Sequence, residues 1–254
     1  MASDGTAGVA EILDQVVRHA DLDVIAITDH ERIDAAVAAR SMALARGLSV
    51  EIVVGEEITT RGGHLLGLFL ERPIRPLQSM ARSIALVHEQ GGLAIPAHPV
   101  VPFPACASAR SLRRLANHRD PRIRPDALEV LNPTTLGRPW HPHVVSLAQE
   151  LRLPGLGSSD AHRAIDIGQA VTTFPGRTAE DLRRAILAGE TGWEGEFYPP
   201  WTVVSTFVRQ LHKYGRDIRD ELLGTLGGGR TGRDLGYPGG RRRPELFDEE
   251  APRR

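Results

Sequence analysis

Apolar residues at Val9, Ile12, Leu13, Val16, Val17 and Ala20 recur at helical spacing and predict an opening helix with one apolar face. The β-branched run "DVIAITDH" follows, a pattern typical of a buried parallel strand. "DAAVAARSMALARG" returns to helical spacing and closes on Gly47, a residue suited to a C-terminal cap. "VEIVVGEEIT" and, after a Gly-Gly turn, "HLLGLFL" read as strands. Leu77, Met80, Ile84 and Val87 mark a helix that stops at Gly91-Gly92, and "LAIPAHP" is the next strand. Residues 100–125 are Pro- and Arg-rich and give no clear element. "ALEVLNP" is a strand, residues 144–151 a helix, and "LPGLGSSDAH" a strand with its exit loop. Thr178 and Asp181 form a capping-box pattern ahead of Leu182, Ala185 and Ile186. Strands alternating with helices predict an α/β fold with parallel strands, as a barrel or an open sheet.

The pattern changes beyond about Glu196. Trp201, Val204, Val208, Leu211, Ile218 and Leu222 mark an amphipathic helix, bent near Gly215 and expected to pack on the outside of the domain. From Gly224 the chain is rich in Gly, Arg and Pro with little apolar content, and is expected to be a disordered tail. The organisation is therefore a domain over residues 1–195, a helical extension over 196–223 and a tail over 224–254.

Composition narrows the function classes. A net charge of −1 gives no bulk electrostatic hold on nucleic acid. The single cysteine, Cys106, excludes an internal disulfide and fits a reducing compartment. No apolar run approaches the ~18 residues of a spanning helix, and the first residues lack a signal peptide's pattern. A cytoplasmic protein with no membrane contact and no obligate protein partner is expected. The chain has no Gly-rich phosphate loop and no G-x-S-x-G elbow.

The candidate chemistry lies where strands end. His30 closes "AITDH", Glu57 lies in "GEEIT", His98 in "IPAHP", and Asp160 and His162 in "SSDAH", while His64 opens "HLLGLFL". In parallel α/β folds the carboxyl ends of the strands gather into one site. Taken alone, each has an ordinary reading: a strand-end histidine reaching solvent, or Asp160 capping the next helix. Five such groups at strand exits of one domain point together to a metal site. Imidazole with carboxylate suits zinc, manganese or iron, and several carboxylates allow more than one ion. The other candidates read as structural. His141-Pro-His143 sits at a helix start, His19 and His88 read as surface groups, His118 and His212 stay unassigned, and Cys106 reads as packing. Asp29 either orients His30 or bonds a backbone turn.

In chain order, "SDGT", "ITDH", "GEEIT", "HLLGLFL", "AHP" and "SDAH" resemble the PHP (polymerase and histidinol phosphatase) family over about residues 2–191. With "IGQAVTTF" after the last motif, the chain is similar to the smaller stand-alone members. The resemblance implies a distorted seven-stranded β/α barrel with two or three divalent ions at the strand ends. Carried over residue by residue, it implies Asp4, His30, Glu57, His64, His98, Asp160 and His162 as ligands. Glu57 is taken over Glu56 because the family's Gly-x-Glu pattern places the ligand second after Gly55. The family's first strand carries His-x-His a few residues before Ser-Asp-Gly. Here Ser3-Asp4-Gly5 stands without it, so the first strand is expected to be missing from the given sequence and encoded upstream of Met1.

The function expected from the resemblance is a metal-dependent phosphoesterase that hydrolyses a phosphomonoester or nucleotide-like substrate with a metal-bridged hydroxide. Arg163 would contact a phosphate oxygen, or is simply solvated; Asn132 would line the cleft, or makes the turn before Pro133. A nucleic-acid end presenting a terminal phosphate would also suit such a cleft. Two other readings remain open. One is a degenerate domain that binds metal or phosphate without turnover, favoured by the missing His-x-His. The other is a barrel amidohydrolase cleaving a C–N bond; its usual carboxylated lysine has no counterpart, because Lys213 is the only lysine and lies outside the motifs.

Overall fold

The apolar run around Val53 forms one of the two inner strands of the larger sheet. In a computed structural model, which describes residues 7–103, 105–134 and 137–199, this sheet has the order β1 (Val24–Ile27), β2 (Glu51–Thr60), β3 (Gly63–Leu68), β4 (Leu93–Pro96). Two smaller sheets pair β5 (Leu128–Leu131) with β6 (Gly155–Gly157), and β7 (Ala170–Thr173) with β8 (Gly192–Gly195). The helices are α1 (Val9–Gln15), continued as a π-turn over Val16–Ala20, then α2 (Asp34–Ala45), α3 (Met80–His88), α4 (Ala109–Ala116), α5 (His141–Leu151) and α6 (Ala179–Ala188). The expectations for Asp4 and for residues 201–254 lie outside the described residues.

The α/β class agrees with the sequence reading, but the strands are not all parallel. β1 runs parallel to β2 and β5 to β6, whereas β3 is antiparallel to both β2 and β4. The cause is local. Only Arg61 and Gly62 separate β2 from β3, and a two-residue link can join only antiparallel strands. Thr60 secures the turn, accepting from Gly62 N at 3.0 Å and donating to Gly63 O. The described strands form three open sheets of four, two and two, and none of these closes on itself as the expected barrel would.

Leu13 and Val16 bury the inner face of the first helix, whereas Val17, assigned to that face by spacing, is 55% exposed. Leu77 likewise departs from its expected core position. It precedes the Ser79 cap of α3 in a left-handed conformation and is 67% exposed. The Pro- and Arg-rich stretch holds α4, which Ser108 caps and which buries Leu112 and Leu115. The capping box of Thr178 and Asp181 opens α6 as expected. Among the described residues no helix is long and apolar enough to cross a membrane.

The second edge of β1 carries no ladder among the described residues, and a cavity of about 500 Å³ lies beside it. Ala26 and Ile25 of β1, Leu66, Leu68, Ile95 and Leu156 supply its apolar wall. Ala26, in the middle of the strand, is exposed.

His88 is not a surface group. It ends α3 and ties that helix to the segment entering β5: Nδ1 lies 2.8 Å from Arg122 O, and Nε2 lies 2.8 Å from Asp126 Oδ2. Asp126 Oδ2 also accepts from Ala94 N at 2.7 Å. Both ring nitrogens face acceptors, so the ring donates twice and is held as the imidazolium. Burial opposes that charge, and the bonds to Asp126 and Arg122 overcome it, raising the pKa above the usual 6.5. The stabilisation is complete below the unfolded pKa and is lost as pH rises through the folded one. His88→Ala is expected to lower stability by about 1–3 kcal/mol at pH 6 and by distinctly less at pH 9. Denaturant melts of both proteins at the two pH values check this, and a pH-independent difference would contradict it.

Candidate metal centre

Glu57 is where the larger sheet delivers its polar side chains. Along β2 successive side chains alternate faces, so Glu56 and Glu57 point to opposite sides. Glu57 faces three imidazoles: His64 Nδ1 at 2.7 Å and His98 Nε2 at 3.3 Å, both from Oε1, and His30 Nε2 at 3.5 Å from Oε2. The rings of His30 and His64 lie 4.9 Å apart edge-on, and those of His64 and His98 lie 5.3 Å apart. His30 follows β1 and bridges to Glu57 through the backbone, and His98 follows β4. His64 stands at the start of β3. Because β3 runs antiparallel, its start lies level with the ends of its neighbours, opposite Thr59.

A second group follows β5 and β6. Asn132 Nδ2 donates to Asp160 Oδ2 at 3.1 Å and to Glu129 Oε2 at 3.2 Å. Glu129 also accepts from the Ser158 hydroxyl and from His98 N, which joins this group to the histidine cluster. His162 Nδ1 lies 2.9 Å from the Asp160 carbonyl oxygen. Tyr198 donates to Ser159 O at 2.7 Å and steadies the same loop. Glu57, His98, Glu129, Asp160, His162 and Arg163 all line the 500 Å³ cavity. Arg163 is oriented by both carboxylate oxygens of Asp166. His98 and Asp160 both have positive φ, 30° and 46°, a strained conformation that gathers at functional sites.

The charges are tightly coupled. Burial works to raise the Glu57 carboxyl, and the contacts with His64 and His98 overcome it, holding Glu57 below the usual carboxylate range. Burial opposes charge on His98, yet Cys106, Glu57 and Glu129 together raise it well above an ordinary imidazole. Glu129 is raised, chiefly by burial with Asp160 adding to it. Glu56, on the other face, is pushed up to about 8 by burial, and its Oε2 accepts from Ile74 N at 2.7 Å.

His30, Glu57 and His64 each offer a ligand atom within 4.8 Å of one another, spacing that fits a metal ion. His64 Nδ1 supplies the sharper test. It is buried and close to Glu57, but it lacks the alignment of a hydrogen bond and has no other partner. A buried, unsatisfied imidazole nitrogen beside a carboxylate is the donor set that divalent ions take.

Sequence reasoning missed Glu129 and Cys106. The signal for Glu129 was a charged residue in the middle of the apolar strand "ALEVL". Cys106, read as packing, places Sγ 3.2 Å from His98 Nδ1. His141 opens α5 as expected and holds Val130 O at 2.9 Å, away from the cluster.

A family model described as PHP-associated matches residues 139–191. An uncharacterized protein of Methanocaldococcus jannaschii is 40% identical over 89 residues, 35% of this chain and 51% of that protein, so the chain spans about half the length of that curated relative. The fold resembles a two-domain protein of Bacteroides vulgatus containing a predicted PHP-like metal-dependent phosphoesterase. That likeness has a TM-score of 0.62 at 18% identity over 76% of this chain and 62% of the other. A candidate metal-dependent phosphoesterase of Bifidobacterium adolescentis gives a TM-score of 0.52 at 18% identity over 74% and 92%. The chain thus shares its fold with PHP-like metal-dependent phosphoesterases, and its residues 139–191 match the PHP-associated family model.

Proposed function

We propose that the chain is a metal-dependent phosphoesterase in which His30, Glu57, His64, His98, Asp160 and His162 hold divalent ions. The observation that carries this is the buried, unsatisfied His64 Nδ1 in a half-buried cluster of three imidazoles around one carboxylate. Divalent ions such as manganese, zinc or iron supply Lewis acidity to a phosphoryl oxygen and lower the pKa of bound water. The protein's own part is to hold the groups that meet them. Asn132 fixes the Asp160 carboxylate, Glu129 anchors the backbone of His98, and Asp166 aims the Arg163 guanidinium along the cavity wall. Arg163 then offers a fixed positive charge to a phosphate oxygen. The substrate class that fits is a small phosphomonoester or nucleotide.

The edge of β1 that carries no ladder among the described residues, with the cavity beside it, has room for a further strand such as one carrying His-x-His, which would add ligands to the set. The same observation favours the second reading, a domain that binds metal without turnover, if no such strand exists.

Two experiments separate these readings. The 254-residue chain and a version extended by the upstream reading frame are assayed with manganese on p-nitrophenyl phosphate and nucleoside monophosphates. The extended protein is expected to be more soluble, to bind more metal per chain and to turn over; metal bound without turnover in both would establish the non-catalytic reading. In the extended protein, Glu57→Gln and His162→Ala are expected to abolish activity and reduce metal content, while His118→Ala leaves both unchanged. Full activity in the Glu57 variant, or in the presence of a strong chelator, would overturn the assignment.

A further inference from the structure

The loop after β4 returns to the cluster it has just left. His98 leads into residues 99–107, whose far end is held against β3. His64 N donates to Ala105 O at 2.8 Å, and Val100 N donates to Ala107 O at 2.8 Å. Gly63 makes room for this approach. A Cβ there would meet Ala107 N at 2.5 Å and Cys106 C at 2.8 Å, and its φ of 115° also demands glycine. The loop is thus clamped to the backbone of His64 and to its own start at Val100, and it sets Cys106 Sγ 3.2 Å from His98 Nδ1.

We infer that Cys106 is a positioning residue for the metal centre, its sulfur selecting the form of His98 that can bind a metal. This rests on the reading of the histidine cluster as a metal site. His98 presents Nε2 to Glu57 and Nδ1 to the sulfur, on opposite sides of the ring. With Sγ accepting, Nδ1 carries the proton and the Nε2 lone pair is left for the ion. Without an acceptor at Nδ1, the partner left to the ring is the Glu57 carboxylate at Nε2, which draws the proton onto the nitrogen that the ion needs. The sulfur lies on the wrong side of the ring to share an ion with Nε2 and Glu57, so its role is orientation and not ligation. Cys106 is partly exposed and also lines a separate open cavity of about 710 Å³ with Phe103, Trp140 and His143. A thiol reagent therefore reaches it without entering through the metal cluster.

The single cysteine makes the test clean, because any thiol label marks this position alone. Zinc affinity of the full chain is measured by competition with a chromogenic chelator between pH 6 and 8, for wild type, Cys106→Ala, Cys106→Ser and wild type alkylated with iodoacetamide. Loss of an outer partner of a metal-bound histidine typically weakens affinity about 10–100-fold. Cys106→Ala and the alkylated protein are expected to fall in that range. Cys106→Ser, which keeps an acceptor at Nδ1, is expected to recover most of the affinity, which a merely packing role would not produce. If Cys106→Ala fails to fold, the alkylated wild type, whose fold is checked by circular dichroism, gives the answer. Wild type that binds zinc while the alanine variant or the alkylated protein binds equally well overturns this inference alone. Wild type that binds no zinc overturns the metal-centre reading and this inference with it.

Discussion

A carboxylate withdrawn from water must be met by positive charge or by a protonated partner, or it destabilises the fold that buries it. Glu57 has a side chain only 12% exposed, and its two oxygens face imidazoles from three different chain segments. The structure around it follows from meeting that demand. β1 ends so that His30 reaches one oxygen, β4 ends so that His98 reaches the other, and β3 begins with His64 between them. The pairing of Glu57 with His98 lowers the carboxyl and raises the imidazole, each against the burial that opposes its charge. A divalent ion bound here would supply that positive charge in place of protons, and its affinity would weaken as pH falls, because its ligands must be deprotonated.

The antiparallel β3 is what lets one sheet supply all of these groups. In a purely parallel sheet a histidine that opens a strand would lie at the far end from its neighbours' exits. The two-residue turn at Arg61-Gly62 reverses the chain, and the start of β3 comes level with the end of β2. The same reversal brings Gly63 against residues 105–107, so the loop from β4 closes over the cluster and carries Cys106 to His98. Glu129 extends the arrangement to the second pair of parallel strands. Its carboxylate accepts from the backbone of His98 and from Asn132, which in turn holds Asp160.

Much of this was legible in the sequence. The apolar runs located β1 to β6, helical spacing located α3, and spacing with a cap located α2 and α6, because burial and capping leave local patterns. The histidines and carboxylates at strand exits were legible for a different reason: each alone has an ordinary structural reading, but five at the exits of one domain's strands converge on one site. What stayed hidden depended on partners distant in sequence. His88 has no acidic neighbour on its own helix, and its partner Asp126 is 38 residues away. Cys106 has no flanking motif and acquires a role only because the loop folds back onto His98. Strands β7 and β8 are short and half exposed, and they lack the apolar density that marked the others. The direction of β3 was recoverable from the length of its turn, a signal that the α/β alternation masked.

The central claim is that a divalent ion is held by imidazole and carboxylate at the Glu57 cluster, with the sulfur of Cys106 outside the coordination shell. Zinc K-edge X-ray absorption on the zinc-loaded protein tests it directly. The account predicts a nitrogen and oxygen shell at about 2.0–2.1 Å with the outer scattering of imidazole rings. A sulfur shell at about 2.3 Å, or a shell without imidazole scattering, would contradict it.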